Sequence, residues 1–306
     1  MKTALLFAGQ GAQSVGMGKE LCDRFSSARA WFERANAALG YDLARICFEG
    51  PESELTKTEH AQPGIFLVGW IAFQLLKEQA PSLQFEAATG LSLGEFTALA
   101  AAGAFSFEEG LALVRQRGRF MQEACEATQG GMAALIGLDE TGAQKLCAET
   151  GVEIANLNCP GQIVISGATE KLKHACAAAT SLGAKKAIPL SVAGAYHSRL
   201  MAVAQPKLEA ALAGTNIRPL AVPVISNVSA REHGTPPEVV RSLVAQVVSS
   251  VRWEASMRYL LEQGFTRFIE LGPGTALSGF MRRIDKNAVM FNVADAGSLE
   301  KTVNGL

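Results

Sequence analysis

Gly90-Leu91-Ser92-Leu93-Gly94 sets a serine between two glycines, each two positions away. An apolar run, Phe85–Ala88, precedes it and a small-residue helical run, Phe96–Ala102, follows. Strand, sharp turn and helix is the context in which G-x-S-x-G acts as a nucleophile elbow. The glycines leave room for a strained serine backbone, and the hydroxyl then stands over a helix N-terminus whose free N–H groups suit a developing oxyanion. The plainer alternative is a small-residue β–α turn with an incidental serine.

A second candidate is Arg117. In the helical pattern that follows Ser106, the residues Leu111, Val114, Gly118, Met121 and Cys125 share one stripe at 100° per residue. Arg117 falls within or beside that stripe, whereas Arg115, Arg119, Gln122 and Glu126 fall on the opposite, solvated side. A guanidinium turned toward the core needs a carboxylate partner, supplied by the protein or by a ligand. A third candidate is His197, at the end of an extended segment and just before a helix. Such a histidine is either a satisfied loop group or a base. His60 and His174 lie in polar helical surroundings and His233 in a turn with Gly234 and Pro236, which leaves His197 as the partner for Ser92 by elimination.

The elements that must position these groups follow an α/β order. Thr3–Phe7 is a short apolar strand of the kind covered on both faces, ending in the glycine-rich turn Gly9-Gln10-Gly11-Ala12-Gln13. Neither G-K-[ST] nor G-x-G-x-x-G is present there, so the turn is read as a backbone N–H donor at an active-site crevice and not as a phosphate loop. Helices are expected over Ser27–Leu39 and Gln62–Gln79, and Ser106-Phe107-Glu108-Glu109 has the form of a capping box opening a helix to about Glu126.

Residues 132–190 then read β-α-β-β-α-β: strands Met132–Gly137, Val152–Leu157, Gln162–Ser166 and Lys185–Leu190, with helices Thr141–Glu149 and Glu170–Leu182. That order is a ferredoxin-like module. After His197 come a helix Arg199–Leu212, a strand Val222–Ser226, helices Pro237–Ser250 and Trp253–Gln263, a strand Arg267–Leu271, a helix Thr275–Ile284 and a closing strand Val289–Val293. The fold class expected is α/β: a large α/β-hydrolase-like domain with a mostly parallel sheet (1–128 and 196–306) and an inserted small ferredoxin-like subdomain (129–195).

Composition narrows the function classes. The 306 residues are 48% hydrophobic and 19% charged with a net charge of −1, which suits a compact enzyme and offers no basic patch for nucleic acid or an anionic membrane. No apolar run reaches transmembrane length, and Met1-Lys2-Thr3 leads directly into a strand, not a signal peptide. The six cysteines show no C-x-x-C and no metal-ligand spacing with the four histidines. Reduced thiols in a cytoplasmic protein with no metal are expected.

Taken in order, these segments resemble the malonyl-CoA:acyl carrier protein transacylase family over essentially the whole chain. The family's glycine-rich N-terminal motif is Gly9-Gln10-Gly11-Ala12-Gln13, and its G-H-S-x-G-E elbow is Gly90-Leu91-Ser92-Leu93-Gly94-Glu95. Its R-G segment is Arg117-Gly118, and its subdomain signature runs from Asn156 to Gly167. The histidine segment is Gly194-Ala195-Tyr196-His197-Ser198, and the last turn is Gly272-Pro273-Gly274.

The resemblance implies Ser92 as nucleophile, His197 as base and Arg117 as the holder of a malonyl carboxylate. It further implies an oxyanion hole from the backbone N–H groups of Gln10 and Leu93, and a backbone carbonyl of Gln246 that orients the histidine. Two residues depart from the pattern: Leu91 replaces the usual histidine, and Tyr196 stands where malonyl-selective members carry phenylalanine. Malonyl-CoA and acyl carrier protein are the implied partners, with no cofactor, no nucleic acid and no membrane, and the chain is expected to act as a monomer in fatty-acid synthesis. The competing readings are a serine hydrolase or thioesterase with an elbow nucleophile, and a polyketide-type acyltransferase.

Overall fold

A computed structural model describes all 306 residues. Eight strands form two sheets: β1 (Lys2–Phe7), β2 (Ala87–Gly90), β3 (Gly130–Ile136), β4 (Glu153–Cys159), β5 (Gln162–Ala168), β6 (Lys186–Pro189), β7 (Phe265–Leu271) and β8 (Val289–Val293). The first sheet, ordered β2-β1-β7-β8, is parallel throughout. Its central strand β1 is buried from Thr3 to Phe7, as an unbroken apolar run requires when helices cover both faces. Phe7 pairs with Gly90 on one side and Leu271 on the other, so three strands end level and three turns meet at one edge. That edge is where an open α/β sheet builds its site.

The second sheet is antiparallel and ordered β4-β5-β3-β6. In sequence order its strands run 2-3-1-4, the ferredoxin-like arrangement, with helices Glu140–Thr150 and Thr169–Ala179 attached. Its edge strand β4 is tied to the larger body: Leu157 N–H donates to Val251 O at 2.9 Å, and Val251 N–H donates to Ala155 O at 2.8 Å.

Several expected elements shift. The helix expected from Gln62 begins at Thr58, with Pro63 inside it. The segment 222–226 is not a strand: Val224 and Ile225 make only isolated bridges, and Pro223 at that edge has no N–H to donate. The helix expected to reach Ser250 runs from Pro236 only to Gln246. The helix expected over Arg199–Leu212 is a 3-10 turn (Arg199–Ala204) followed by an α-helix Gln205–Ala213 with Pro206 in its first turn. Short helices at Lys19–Arg24, Leu43–Glu49 and Glu52–Leu55 and a last helix at Ala296–Gly305, opened by the Asp295 side chain, are additional to the expected elements. The Ser106 capping box is present in full, with Ser106 and Glu109 exchanging hydrogen bonds.

Candidate active site

Ser92 sits between β2 and the helix Leu93–Ala101, at φ 51°. A serine rarely takes that conformation, and it persists here because the surroundings overdetermine it. The glycines on either side are obligatory: a Cβ on Gly90 would lie 2.0 Å from the Gly94 carbonyl carbon, and one on Gly94 would lie 2.2 Å from Phe7 O. The turn is further clamped by Asn227, whose side-chain oxygen accepts from Ser92 N–H at 2.6 Å and whose amide donates to Gly90 O at 2.8 Å. Sequence reasoning missed Asn227, which lies 135 residues away.

His197 meets the serine at the cleft, its Nε2 2.8 Å from Ser92 Oγ. Its Nδ1 lies 2.9 Å from Gln246 O and 3.2 Å from Ser249 O. Two carbonyls can only accept, so Nδ1 carries the proton and Nε2 presents its lone pair to the serine. No carboxylate takes part. Helix termination explains the geometry: the helix stops at Gln246, so its last carbonyl, with that of Ser249 just beyond the helix, is turned to the imidazole and is not committed to a further helical turn.

Arg117 is 1% exposed and lies on the inner stripe of the helix Phe107–Ala127. The structure answers which partner it has. It donates to Gln62 Oε1 at 2.8 Å, Gln246 Oε1 at 3.0 Å and Ser92 Oγ at 3.1 Å, all neutral oxygens, and its Nε has no acceptor. Phe96 lies against it, with the guanidinium 5.3 Å from the ring centre. Burial pulls its pKa down to about 10, which leaves it cationic at neutral pH. A buried cation beside the Ser92 hydroxyl, with an unused donor and no carboxylate hydrogen-bonded to it, has the charge and the donors that an anion would pair with. Gln62, a central contact, was also missed.

Gln10 and Ser92 line one cleft of about 340 Å³. The Gly9-Gln10 turn presses on the elbow so closely that a Cβ on Gly9 would meet Leu91 O at 2.2 Å. The backbone N–H groups of Gln10 and Leu93 enter none of the loop and cap hydrogen bonds, so both are free to bind an oxyanion. The small sheet forms the opposite wall with Met132, Asn158 and Val164. Tyr196 is buried in this cleft, and its hydroxyl bonds Thr58 Oγ1 and accepts from Gln10 Nε2 at 3.3 Å. Leu91 is half-buried and packs on apolar neighbours. His233 differs from its sequence reading as a bland turn residue: its side chain is 1% exposed and bonds Glu95 Oε1 at 2.7 Å.

Burial, with the Arg117 charge adding to it, pushes the His197 pKa down to about 4. The titration near pH 6–7 that an unperturbed histidine would give is therefore not expected. In kcat/KM, which reports the free enzyme, any step in which His197 takes the Ser92 proton should stay level from neutral pH to about 5 and fall only as pH drops through about 4. A stopped-flow pH profile breaking at 6–7 would contradict this. His197→Ala should lose on the order of a hundredfold or more and remove the break. Stability follows the same shift. The unfolded chain binds this proton more tightly, so folding weakens as pH falls from about 6.5 toward 4.

The chain is similar to known acyltransferases over its whole length. Residues 4–304 match the family model described as acyl transferase domain. The malonyl CoA-acyl carrier protein transacylase of Bacillus subtilis is 42% identical, over 100% of this chain and 97% of its own. The acyl-carrier-protein S-malonyltransferase of Burkholderia pseudomallei superposes with a TM-score of 0.95 at 38% identity, covering 99% of this chain and 100% of that one. A malonyl-transacylase solved in complex with a type II polyketide synthase acyl-carrier protein superposes at 0.97, with 34% identity and full coverage of both chains.

Proposed function

The chain belongs to the malonyl-CoA:acyl carrier protein transacylase family, and from that premise we propose how its site carries out the reaction. It moves a malonyl group from malonyl-CoA to the phosphopantetheine thiol of acyl carrier protein, supplying fatty-acid synthesis. The observation that carries the assignment of roles is the position of the Ser92 hydroxyl. It lies between a neutral imidazole that can take its proton and a buried guanidinium to which no carboxylate hydrogen-bonds, Glu95 acting on it only as a nearby charge.

In the first half-reaction Ser92 Oγ attacks the thioester carbonyl while His197 Nε2 accepts its proton. The oxyanion of the tetrahedral intermediate is held by the N–H groups of Gln10 and Leu93. The C–S bond breaks, and His197 returns the proton to the departing CoA sulfur, leaving malonyl-serine. The carrier's thiol then repeats the sequence in reverse. Ser92, His197 and the two thiols balance every atom, so the proposal calls on no cofactor and no metal.

Arg117 acts twice on this reading. Its guanidinium binds the malonyl carboxylate, and once that charge is neutralised, one of the two causes that depress the His197 pKa is removed. The bound substrate therefore eases the proton transfer that its own acylation requires. Tyr196, tied down by Thr58 and Gln10, forms part of the acyl pocket wall. Residues 1–128 and 196–306 make the catalytic body, and 129–195 the subdomain that closes the cleft. One chain supplies every residue named here, consistent with a monomer. No helix is long and apolar enough to cross a membrane, and the six cysteines are unpaired, which fits a cytoplasmic setting.

The test of this mechanism is a two-substrate kinetic series. Parallel double-reciprocal lines are expected as malonyl-CoA and carrier protein are varied. Intersecting lines would mean direct transfer with no acyl-serine.

A further inference from the structure

Below the elbow lies a polar cluster that none of the reacting atoms touches. Glu95, 0% exposed, receives three hydrogen bonds: His233 Nε2 at 2.7 Å, Gln246 Nε2 at 2.7 Å and Asn227 N–H at 3.0 Å. No lysine or arginine pairs with this carboxylate. Gln246 is the link to the site. Its side-chain oxygen accepts from Arg117, its amide nitrogen also donates to Ser92 O at 3.0 Å, and its backbone carbonyl accepts from His197.

A glutamine amide has one accepting end and one donating end, so the group facing one end decides what the other end offers. A carboxylate accepts only. Glu95 therefore draws the Gln246 nitrogen toward itself and leaves the oxygen toward Arg117. With the amide reversed, its N–H groups would face the N–H groups of the guanidinium, and Arg117 would lose an acceptor that aims it.

We propose that Glu95, anchored by His233, is a positioning residue that fixes the Gln246 amide and through it the direction of the Arg117 guanidinium, and so sets the preference for a carboxylate-bearing acyl group. This deepens the proposed function and rests on its reading of Arg117 as the carboxylate binder.

His233 serves this arrangement from a segment 138 residues away, by donating through Nε2 while its Nδ1 stays without a partner. In Glu95→Gln one carboxylate oxygen becomes an NH₂ group. The site can then no longer accept from all three donors, and where the new NH₂ faces Gln246 its amide nitrogen is held in this orientation at close range by Ser92 O alone.

The experiment measures kcat and KM for malonyl-CoA and acetyl-CoA in the full-length wild type, Glu95→Gln, His233→Ala, His233→Gln and Arg117→Ala, with melting temperatures alongside. Glu95→Gln should raise KM for malonyl-CoA about tenfold or more, the worth of one hydrogen bond to a charged group. The malonyl-to-acetyl ratio of kcat/KM should fall by the same factor. His233→Ala should move the ratio the same way by less, and His233→Gln, which keeps an N–H donor, should restore it. If Glu95→Gln does not fold, the two His233 variants decide alone. An unchanged ratio, including equal losses for both substrates with a lower melting temperature, would overturn the proposal and leave Glu95 as a structural prop. If the ratio is unchanged even in Arg117→Ala, the reading of Arg117 fails, and this proposal with it.

Discussion

Ser92→Ala is expected to bring malonyl transfer to acyl carrier protein down to background while the protein stays folded. The side chain being removed makes two hydrogen bonds, to His197 Nε2 and from Arg117 Nη2. Arg117 keeps Gln62 and Gln246 as acceptors when it is gone. The elbow itself is held by backbone contacts: Asn227 on Ser92 N–H and Gln246 Nε2 on Ser92 O. Alanine leaves both intact, so the melting temperature should change by no more than a few degrees. Catalysis has no such reserve, because the covalent intermediate needs the oxygen, and loss of a nucleophile of this type costs on the order of 10⁶-fold. Transfer within a hundredfold of wild type, measured with carrier protein as acceptor, would place the nucleophile elsewhere.

Arg117→Ala is expected to reverse the choice of acyl group. A malonyl carboxylate against the buried guanidinium gains charge-assisted, bidentate hydrogen bonds. Acetyl lacks it and leaves the cation unpaired, a difference of roughly 3–5 kcal/mol. At about 1.4 kcal/mol per tenfold, malonyl should be favoured by on the order of a hundred to a few thousandfold in kcat/KM. Alanine removes both the attraction and the penalty. Malonyl transfer should collapse, and acetyl transfer should hold or improve. Lysine should rescue only in part, since a point charge does not reproduce the fork. The pH profile supplies an internal check. With the arginine charge gone, only burial depresses His197, so the acid limb should move upward from about 4. Equal losses for both substrates with a lower melting temperature would make Arg117 a structural residue.

What could be read from the chain was what local geometry writes into it. The G-x-S-x-G spacing around Ser92 is visible in five consecutive residues, although the atoms that forbid a Cβ there belong to Gly94 and to Phe7 on another strand, and the inward face of Arg117 follows from helical periodicity alone. The β-α-β-β-α-β order of the small sheet came from alternating short patterns in the same way. The residues that hold the site together are different in kind. Gln62, Asn227 and His233 act through contacts spanning 55 to 138 residues, and no periodicity marks a side chain whose partner lies that far off. The glycine-rich turn and the helix N-terminus after Ser92 were legible as sources of backbone N–H groups, but the particular residues Gln10 and Leu93, and the Gln246 carbonyl, came only from the family resemblance, because a backbone N–H or carbonyl leaves no trace in residue type. The low His197 pKa was also illegible, since it depends on complete burial next to a cation that arrives from another helix. Element ends slipped where proline or a functional contact decided them, as at Pro223 and at Gln246.

On the proposed mechanism, a malonyl-serine at position 92 is discharged by a thiol and not by water. Intact-protein mass spectrometry of the wild type mixed with malonyl-CoA, followed by peptide mapping and a chase with holo acyl carrier protein, tests it most directly. One malonyl group should appear on Ser92, survive in buffer, and pass to the carrier when the carrier is added. An adduct on another residue, or one lost to buffer as fast as to the carrier, would contradict the account.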